Sequence, residues 1–257
     1  MSAFKVDGLE LGLGLVSIGR PWGVASAAPP DEKGAFAVLE RAVELGIQIF
    51  DTAPAYASSE ERLGRFLGSL EPQERSRFVI MTKAGEHWNS DSSAPFVDHS
   101  RDALVRSIDR SLRLLGRVDL LQVHKATVEA LALPDVADAL DYARSCGVSA
   151  LGASVSDLEA GRMALGSGLF QALQFPFNRS NRLFGPLLAE MAASAALPIL
   201  NRPFAMGALV DDEQGALESG RAAFRFIAGA VERGIVLTGT AKPDHLEQNV
   251  LAFRTRQ

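Results

Sequence analysis

Four residues stand where they could do chemistry together: Asp51, Tyr56, Lys83 and His124. Asp51 closes the apolar run "IQIF", Lys83 closes "FVIMT" and His124 closes "LLQV", while Tyr56 follows Asp51 across the bend "TAPA". Taken singly, each has a bland explanation. An Asp at a strand end is more often a turn cap, a Lys there reaches for water, a lone His is a satisfied structural group, and a loop Tyr packs. Together they make a tuned phenol. A free tyrosine has a pKa of about 10, too weak an acid to assist at neutral pH. A neighbouring ammonium lowers that value, an aspartate holds the ammonium charged and oriented, and a histidine can orient a substrate oxygen. The task suited to this set is protonating a carbonyl oxygen while hydride arrives at carbon, or the reverse. No side chain supplies hydride, so a nicotinamide cofactor is implied.

These residues must be delivered to one place. A helix-period segment ending in Gly, followed at once by a β-branched apolar run, recurs in "ERAVELG-IQIF", "RSLRLLG-RVDLLQV", "DYARSCG-VSALGAS" and "AVERG-IVLTG". Gly46, Gly116, Gly147 and Gly234 each read as the left-handed residue past a helix end. The runs after them are apolar on both faces, as in a covered parallel sheet. Strands are predicted at 11–18, 47–51, 78–83, 118–124, 149–154, 172–177, 198–203 and 235–239. Helices are predicted at 33–45, 59–69, 101–115, 135–145, 156–165, 185–195, 219–233 and 243–253. Leu104, Ile108, Leu112 and Leu115 form one apolar stripe, with Ser100 as N-cap, and Phe36, Leu39 and Val43 form another. Ser58 and Glu61 read as a capping box. Eight such units make a closed (β/α)8 TIM barrel in a single domain, residues 1–257, with "FKVDGLELG" as an N-terminal hairpin capping its bottom. A doubly wound sheet is the competing fold, but Gly12, Gly14 and Gly19 lack its phosphate-binding glycine spacing. In a barrel, the C-terminal strand ends face one mouth. They carry Asp51, Lys83, His124, Ser154, Gln174, Asn201, Arg202 and Thr238.

Composition narrows the partners. The chain has 257 residues, a net charge of −5 and no basic block, which disfavours nucleic acid and anionic membranes. The single cysteine, Cys146, forms no internal disulfide and suits a reducing compartment. "MSAFKVDG" lacks the basic and apolar regions of a signal peptide, and no apolar run is long enough to span a membrane, so a cytoplasmic protein is expected.

At this point the sequence resembles the aldo-keto reductase superfamily nearly end to end. "LGLGLVSIG", "IFDTAPAY", "SEERLG", "TKAG", "VDLLQVH", "LGAS", "LQFPFN", "NRPF" and "LTGTAKPDHLEQNV" occur in the family's order. The resemblance implies a catalytic tetrad of Asp51, Tyr56, Lys83 and His124, with Tyr56 the proton donor. It implies NAD(P)H bound across the barrel mouth without a Rossmann domain. Ser154 and Gln174 match the carboxamide positions, and Arg202, Pro203, Phe204, Met206, Gly207 and Leu209 the pyrophosphate loop. Thr240, Lys242, His245, Gln248 and Asn249 match the adenosine end. Gly19, Arg20, Asp51, Asn201, Thr238 and Gly239 complete the cofactor set. Val155 stands where the family often has Asn, Asn201 where it often has a stacking aromatic, and His245 where an Arg often meets the 2′-phosphate. Lys242 and His245 are therefore the candidate phosphate ligands, with NADPH favoured and NADH the alternative. The chain stops soon after the last helix, without the long C-terminal loop of some members. Substrate contacts are expected from Trp22, His87 and Trp88 beside Tyr56 and His124.

The leading expectation is an NAD(P)-dependent reductase of small aldehydes, ketones or sugars, or a dehydrogenase of the corresponding alcohols. A cofactor-binding regulatory or sensor subunit of the same fold is the alternative. A metal-dependent barrel enzyme is disfavoured, because the four histidines show no paired spacing.

Overall fold

A computed structural model of the chain describes residues 6–23, 26–210 and 215–256. Its strands are β1 Leu9–Gly14, β2 Ile49–Asp51, β3 Val79–Ala84, β4 Glu86–Asn89, β5 Ala94–Val97, β6 Leu120–Ala126, β7 Ala150–Val155, β8 Ala172–Pro176, β9 Leu197–Asn201 and β10 Gly234–Thr238. Its helices are α1 Val16–Gly19, α2 Glu32–Glu44, α3 Ser59–Gly68, α4 Pro72–Arg75, α5 Arg101–Leu115, α6 Val128–Ala132, α7 Pro134–Ser145, α8 Leu158–Gly166, α9 Gly185–Ala192, α10 Ala216–Ala228 and α11 Pro243–Arg254. The strands β1-β10-β9-β8-β7-β6-β3-β2 close into a barrel of parallel pairs, and β4 and β5 form a separate antiparallel hairpin. This is the expected (β/α)8 barrel. Among the described residues, no helix is long and apolar enough to cross a membrane.

The two-residue period of a strand decides what fills the barrel. Ile49, Met81, Leu120, Ala150, Ala172, Leu197, Ile199, Ile235 and Leu237 pack into one interior cluster. Two residues further along their strands, the same inward face carries Asp51, Lys83, Gln122, Gly152, Gln174 and Asn201. An apolar floor thus supports a polar layer at the C-terminal mouth. The opposite face of each strand packs against the helices in a second core, to which α5 contributes Leu104, Ile108 and Leu115 and α2 contributes Val38 and Leu39.

Some local expectations yield to tertiary structure. Leu9–Gly12 run in barrel strand β1, paired with β10, so they form no N-terminal hairpin; residues 1–5 of the expected hairpin lie outside the described residues. Val6 nonetheless packs into the interior cluster, plugging the barrel floor. Gly46, Gly116 and Gly147 have the left-handed backbone expected past a helix end. Gly234 does not: α10 ends at Ala228, and Gly234 opens β10, where a side chain would sit 2.8 Å from the Pro198 carbonyl oxygen. Ser100 occupies the N-cap of α5 without making a side-chain cap bond.

Candidate active site

The polar layer centres on a buried ion pair. Lys83 Nζ donates to both Asp51 carboxylate oxygens, at 2.8 and 2.6 Å, and to the Thr52 carbonyl at 3.0 Å. Both side chains are almost fully enclosed. Gln122 Nε2 also donates to Asp51, at 3.1 Å, and Gln174 Nε2 approaches its other oxygen at 3.5 Å. Asp51 is thereby locked from several sides, and it fixes Lys83 in turn. Burial alone would pull the Lys83 ammonium down, but the charges of Asp51 and Tyr56 and hydrogen bonds to both outweigh it, and its pKa is raised. Lys83 stays charged.

Tyr56 ends a short 3₁₀ turn, Pro54–Tyr56, that leads from β2 towards α3. Its ring lies 5.1 Å from Lys83 Nζ and edge-on to the His124 ring at 6.0 Å. Burial pushes its phenol above the ordinary tyrosine value; Lys83 pulls it down, Asp51 pushes it up again, and the net direction is upward. The expected net lowering is thus corrected. Lys83 is the strongest downward influence on Tyr56, but desolvation exceeds it.

The turn is clamped by α1 through groups that looked like helix capping. Ser58 Oγ donates to the Gly19 carbonyl instead of closing a capping box, Ser59 Oγ donates to Leu15, and Arg62 to the Ile18 carbonyl. Gly19 makes the contact close: a Cβ there would sit 1.9 Å from the Tyr56 carbonyl oxygen and 2.7 Å from Ser59 Cβ. Because backbone cannot yield as a flexible side chain can, Gly19→Ala must displace the Tyr56 turn. We expect a lowered Tm and a kcat reduced by about 10²-fold, the scale on which an ångström of misplacement acts. Wild-type kcat in Gly19→Ala would show that this contact does not set the position of Tyr56.

His124 sits at a β-bulge. The β6–β7 register shifts between Val123 and Ala126, and Lys125 has a positive φ of 52°. Such bulges re-aim side chains beside functional sites. His99 Nε2 is 2.7 Å from the His124 carbonyl oxygen, tying β6 to the segment after the β4–β5 hairpin. The side chain of Glu86, buried at the hairpin's base, lies 3.4 Å from His124 Nε2 and 3.6 Å from Lys125 Nζ. Burial, followed by the positive charges of Lys83, Lys125 and Arg20, holds the His124 imidazole well below the ordinary histidine value. It is neutral at physiological pH.

The other sequence-predicted residues divide into groups. Ser154 and Gln174 are partners in direct register near the C-terminal ends of neighbouring strands, and Asn201 ends β9. The side-chain oxygens of Gln174 and Asn201 are buried without hydrogen-bond partners. Arg202, Ala205, Met206 and Gly207 have positive φ, a run of left-handed backbone in the loop that also holds Pro203, Phe204 and Leu209. Three of these four are not glycine, which is strain of a kind that collects at binding sites. Thr238 faces outward and accepts from Asn249 Nδ2 at 2.8 Å, joining β10 to α11 just before Gly239. Lys242, His245 and Gln248 are exposed around the start of α11, which has no side-chain cap, and Thr240 Oγ1 accepts from the Lys242 amide. Arg20 lies among the rings of Trp22, Tyr56 and Trp88. His87 is engaged within the hairpin region, its ring 5.3 Å from the Phe96 ring and its Nε2 3.0 Å from the Asp98 carbonyl oxygen, and it lines a cavity with Trp88, Pro54 and Ala57.

Against this geometry, the aldo/keto reductase family model matches residues 10–216, most of the chain. The chain belongs to the aldo/keto reductase family. Among solved structures, this aldo/keto reductase chain is similar to a Pseudomonas aeruginosa protein assigned to the aldo-keto reductases, with 30% identity and a TM-score of 0.80 over 96% of this chain and 89% of that one. It is 34% identical over 175 residues to the D-threo-aldose 1-dehydrogenase of Pseudomonas sp, covering 57% of this chain and 50% of that protein. It is 30% identical over 126 residues to the uncharacterized oxidoreductase YqkF of Bacillus subtilis, 48% of this chain and 37% of that protein. The chain thus spans half or less of the length of these curated relatives.

In this aldo/keto reductase the sequence reading passed over Gln122 and Glu86. Gln122 lies two residues before His124 on the same strand, so strand alternation alone puts it on the inward face. Glu86 gave no comparable signal, because the hairpin that buries it was read as a loop.

Proposed function

We propose that this chain is an NAD(P)H-dependent oxidoreductase that interconverts a small carbonyl compound and its alcohol, with Tyr56 as the general acid and base. The observation that carries this reading is the Asp51–Lys83 pair, with Lys83 Nζ 5.1 Å from the Tyr56 ring and the neutral His124 ring edge-on to it at 6.0 Å. The site also fits a nicotinamide. Gln174 Oε1 and Asn201 Oδ1 are buried acceptors without donors, a costly state in protein alone, and the amide hydrogens of a carboxamide would satisfy them. Ser154 would complete that set. Bound there, nicotinamide supplies the hydride that no side chain can.

The protein's own part is proton management. In reduction, neutral His124 donates a hydrogen bond that orients the substrate oxygen, and Tyr56 Oη gives that oxygen its proton. Lys83 stabilises the phenolate that remains, while Asp51 and Gln122 keep Lys83 in place. In oxidation the same phenolate takes the hydroxyl proton. The raised phenol of Tyr56 is protonated at neutral pH, which suits reduction there and oxidation in alkali. Because His124 is neutral throughout, kcat/KM for reduction should show no histidine limb between about pH 6 and 8. A limb near pH 6.5 that His124→Gln removes would contradict that role.

For the remainder of the cofactor we propose Gly19 and Gly239 beside the nicotinamide ribose, the loop Arg202–Leu209 at the pyrophosphate, and Thr240–Asn249 at the adenosine. The exposed start of α11 offers unpaired backbone N–H groups and a favourable dipole for an anion. With Lys242 and His245 beside it, NADPH is the favoured cofactor. Lys242→Ala should weaken NADPH binding about 10–150-fold, the worth of one charged hydrogen bond, and NADH much less. Equal losses for both would show that Lys242 does not read the 2′-phosphate. The function itself is tested with NADPH, NADH and a panel of short aldehydes, following the reduced-nicotinamide absorbance. Turnover supports an enzyme, whereas tight cofactor binding with no turnover of any carbonyl supports the regulatory alternative.

A further inference from the structure

We infer that Arg20 is a substrate-binding residue, and that the carbonyl compounds taken by this site carry a carboxylate a few bonds from the reacting carbon. The inference rests on the reading above and specifies its substrate class. Arg20 follows α1 directly, beside the clamped Tyr56 turn. Its guanidinium carbon lies 5.5 Å from the Trp22 ring, 5.6 Å from Trp88 and 5.8 Å from Tyr56. Three aromatic faces therefore surround one cation at the mouth of the site.

What this cation lacks among the described residues is a counter-charge. Among the described residues no carboxylate comes within ion-pair distance of Arg20, and its Nε is buried without a hydrogen-bond partner. The two buried carboxylates of the site are engaged elsewhere, Asp51 by Lys83 and Glu86 beside His124 and Lys125. A partly buried charge without a partner is unfavourable, and ring faces offset only part of that cost. Rings stacked over a guanidinium cannot satisfy its N–H donors, which lie in the plane, and Nε is one such donor left without a partner. Those donors form a fork that matches a carboxylate. Among the described residues the cage thus lacks an anion with two oxygens.

Position argues for the substrate over the cofactor as its source. The residues proposed for the cofactor's phosphates lie after β9 and β10, and Arg202, whose guanidinium carbon is 5.4 Å from the Trp22 ring, is a cation of that set. Arg20 instead faces the phenol that hands over the proton. Its charge is also felt at His124, among the influences that hold that imidazole neutral. The chemistry balances without a further reagent. A nicotinamide held there would supply the hydride to the carbonyl carbon, Tyr56 gives the oxygen its proton, and the carboxylate stays intact on Arg20. An oxo acid becomes a hydroxy acid as the cofactor is oxidised.

The test compares short oxo acids, glyoxylate and succinic semialdehyde, with their methyl esters, which keep the carbonyl and lose the charge. The wild-type protein should favour acid over ester in kcat/KM. In Arg20→Gln that ratio should fall by about 10–100-fold, mostly through KM, with partial recovery in Arg20→Lys, which keeps the charge but loses the fork. NADPH affinity is measured by fluorescence in the same variants. A wild-type protein that reduces the ester as well as the acid overturns the inference even if Arg20→Gln fails to fold. So does an unmoved ratio in Arg20→Gln, and weaker NADPH binding with that ratio unmoved would assign Arg20 to the cofactor. If neither acid nor ester is reduced while neutral short aldehydes are, the inference fails and the oxidoreductase reading stands; if no carbonyl is reduced, both fail.

Discussion

Tyr56→Phe should lower kcat for carbonyl reduction by about 10²–10⁴-fold, the usual worth of a positioned general acid, while cofactor affinity changes little. The substitution keeps the ring that lies 5.1 Å from Lys83 and 6.0 Å from His124. It also keeps the backbone contacts with Gly19 and Ala53 that hold the turn. The phenolic hydroxyl is lost, and with it the hydrogen bond to Lys83, so the change should appear chiefly in the chemical step. Single-turnover rates with saturating cofactor separate that step from product release. A variant with near-wild-type single-turnover rates would remove Tyr56 from the mechanism.

Lys83→Met should slow both directions and move the pH dependence of oxidation. Lys83 is the strongest downward influence on a phenol that burial has raised. Without the ammonium the phenol rises further. Tyr56 then becomes a poorer acid for reduction, and the phenolate that serves as base in oxidation forms only at higher pH. The rising limb of the oxidation profile therefore shifts alkaline. Stability confounds the single variant, because it leaves the enclosed Asp51 carboxylate without its counter-ion, a loss of about 3–5 kcal/mol. The double variant Asp51→Asn/Lys83→Met removes both charges. Its limb should lie between wild type and Lys83→Met, since Asp51 itself pushes the phenol up. A uniformly lower rate with an unmoved limb would make Lys83 a positioning residue that does not tune the acid.

The features legible from sequence are those with strong local physics. Gly46, Gly116 and Gly147 mark helix ends because few other residues adopt their left-handed backbone. Asp51, Lys83 and His124 stand out because each ends an apolar run, and parallel strands aligned in a barrel must bring such ends together. What escaped the reading depends on partners distant in sequence. Ser58 looks like a helix cap until the Gly19 carbonyl competes for its hydroxyl. The β4–β5 hairpin hides in "EHWNSDSSAPFV", whose Pro and polar tip resemble a loop, and with it hides Glu86. Gln122 is concealed inside an apolar run and emerges only by counting back two residues from His124. The direction of the Tyr56 shift needs the depth of its burial, which no spacing in the sequence encodes.

Direct hydride transfer assisted by Tyr56 is the central claim, and isotope tracing tests it most directly. The protein is incubated with NADPH bearing deuterium at the nicotinamide C4 position that it uses, together with a short aldehyde. The alcohol is then analysed by mass spectrometry and NMR. The account predicts deuterium on the carbinol carbon, formed at a rate about 10²–10⁴-fold lower in Tyr56→Phe. Binding of NADPH with no labelled alcohol from any carbonyl offered, or labelled alcohol formed equally fast by Tyr56→Phe, would contradict it.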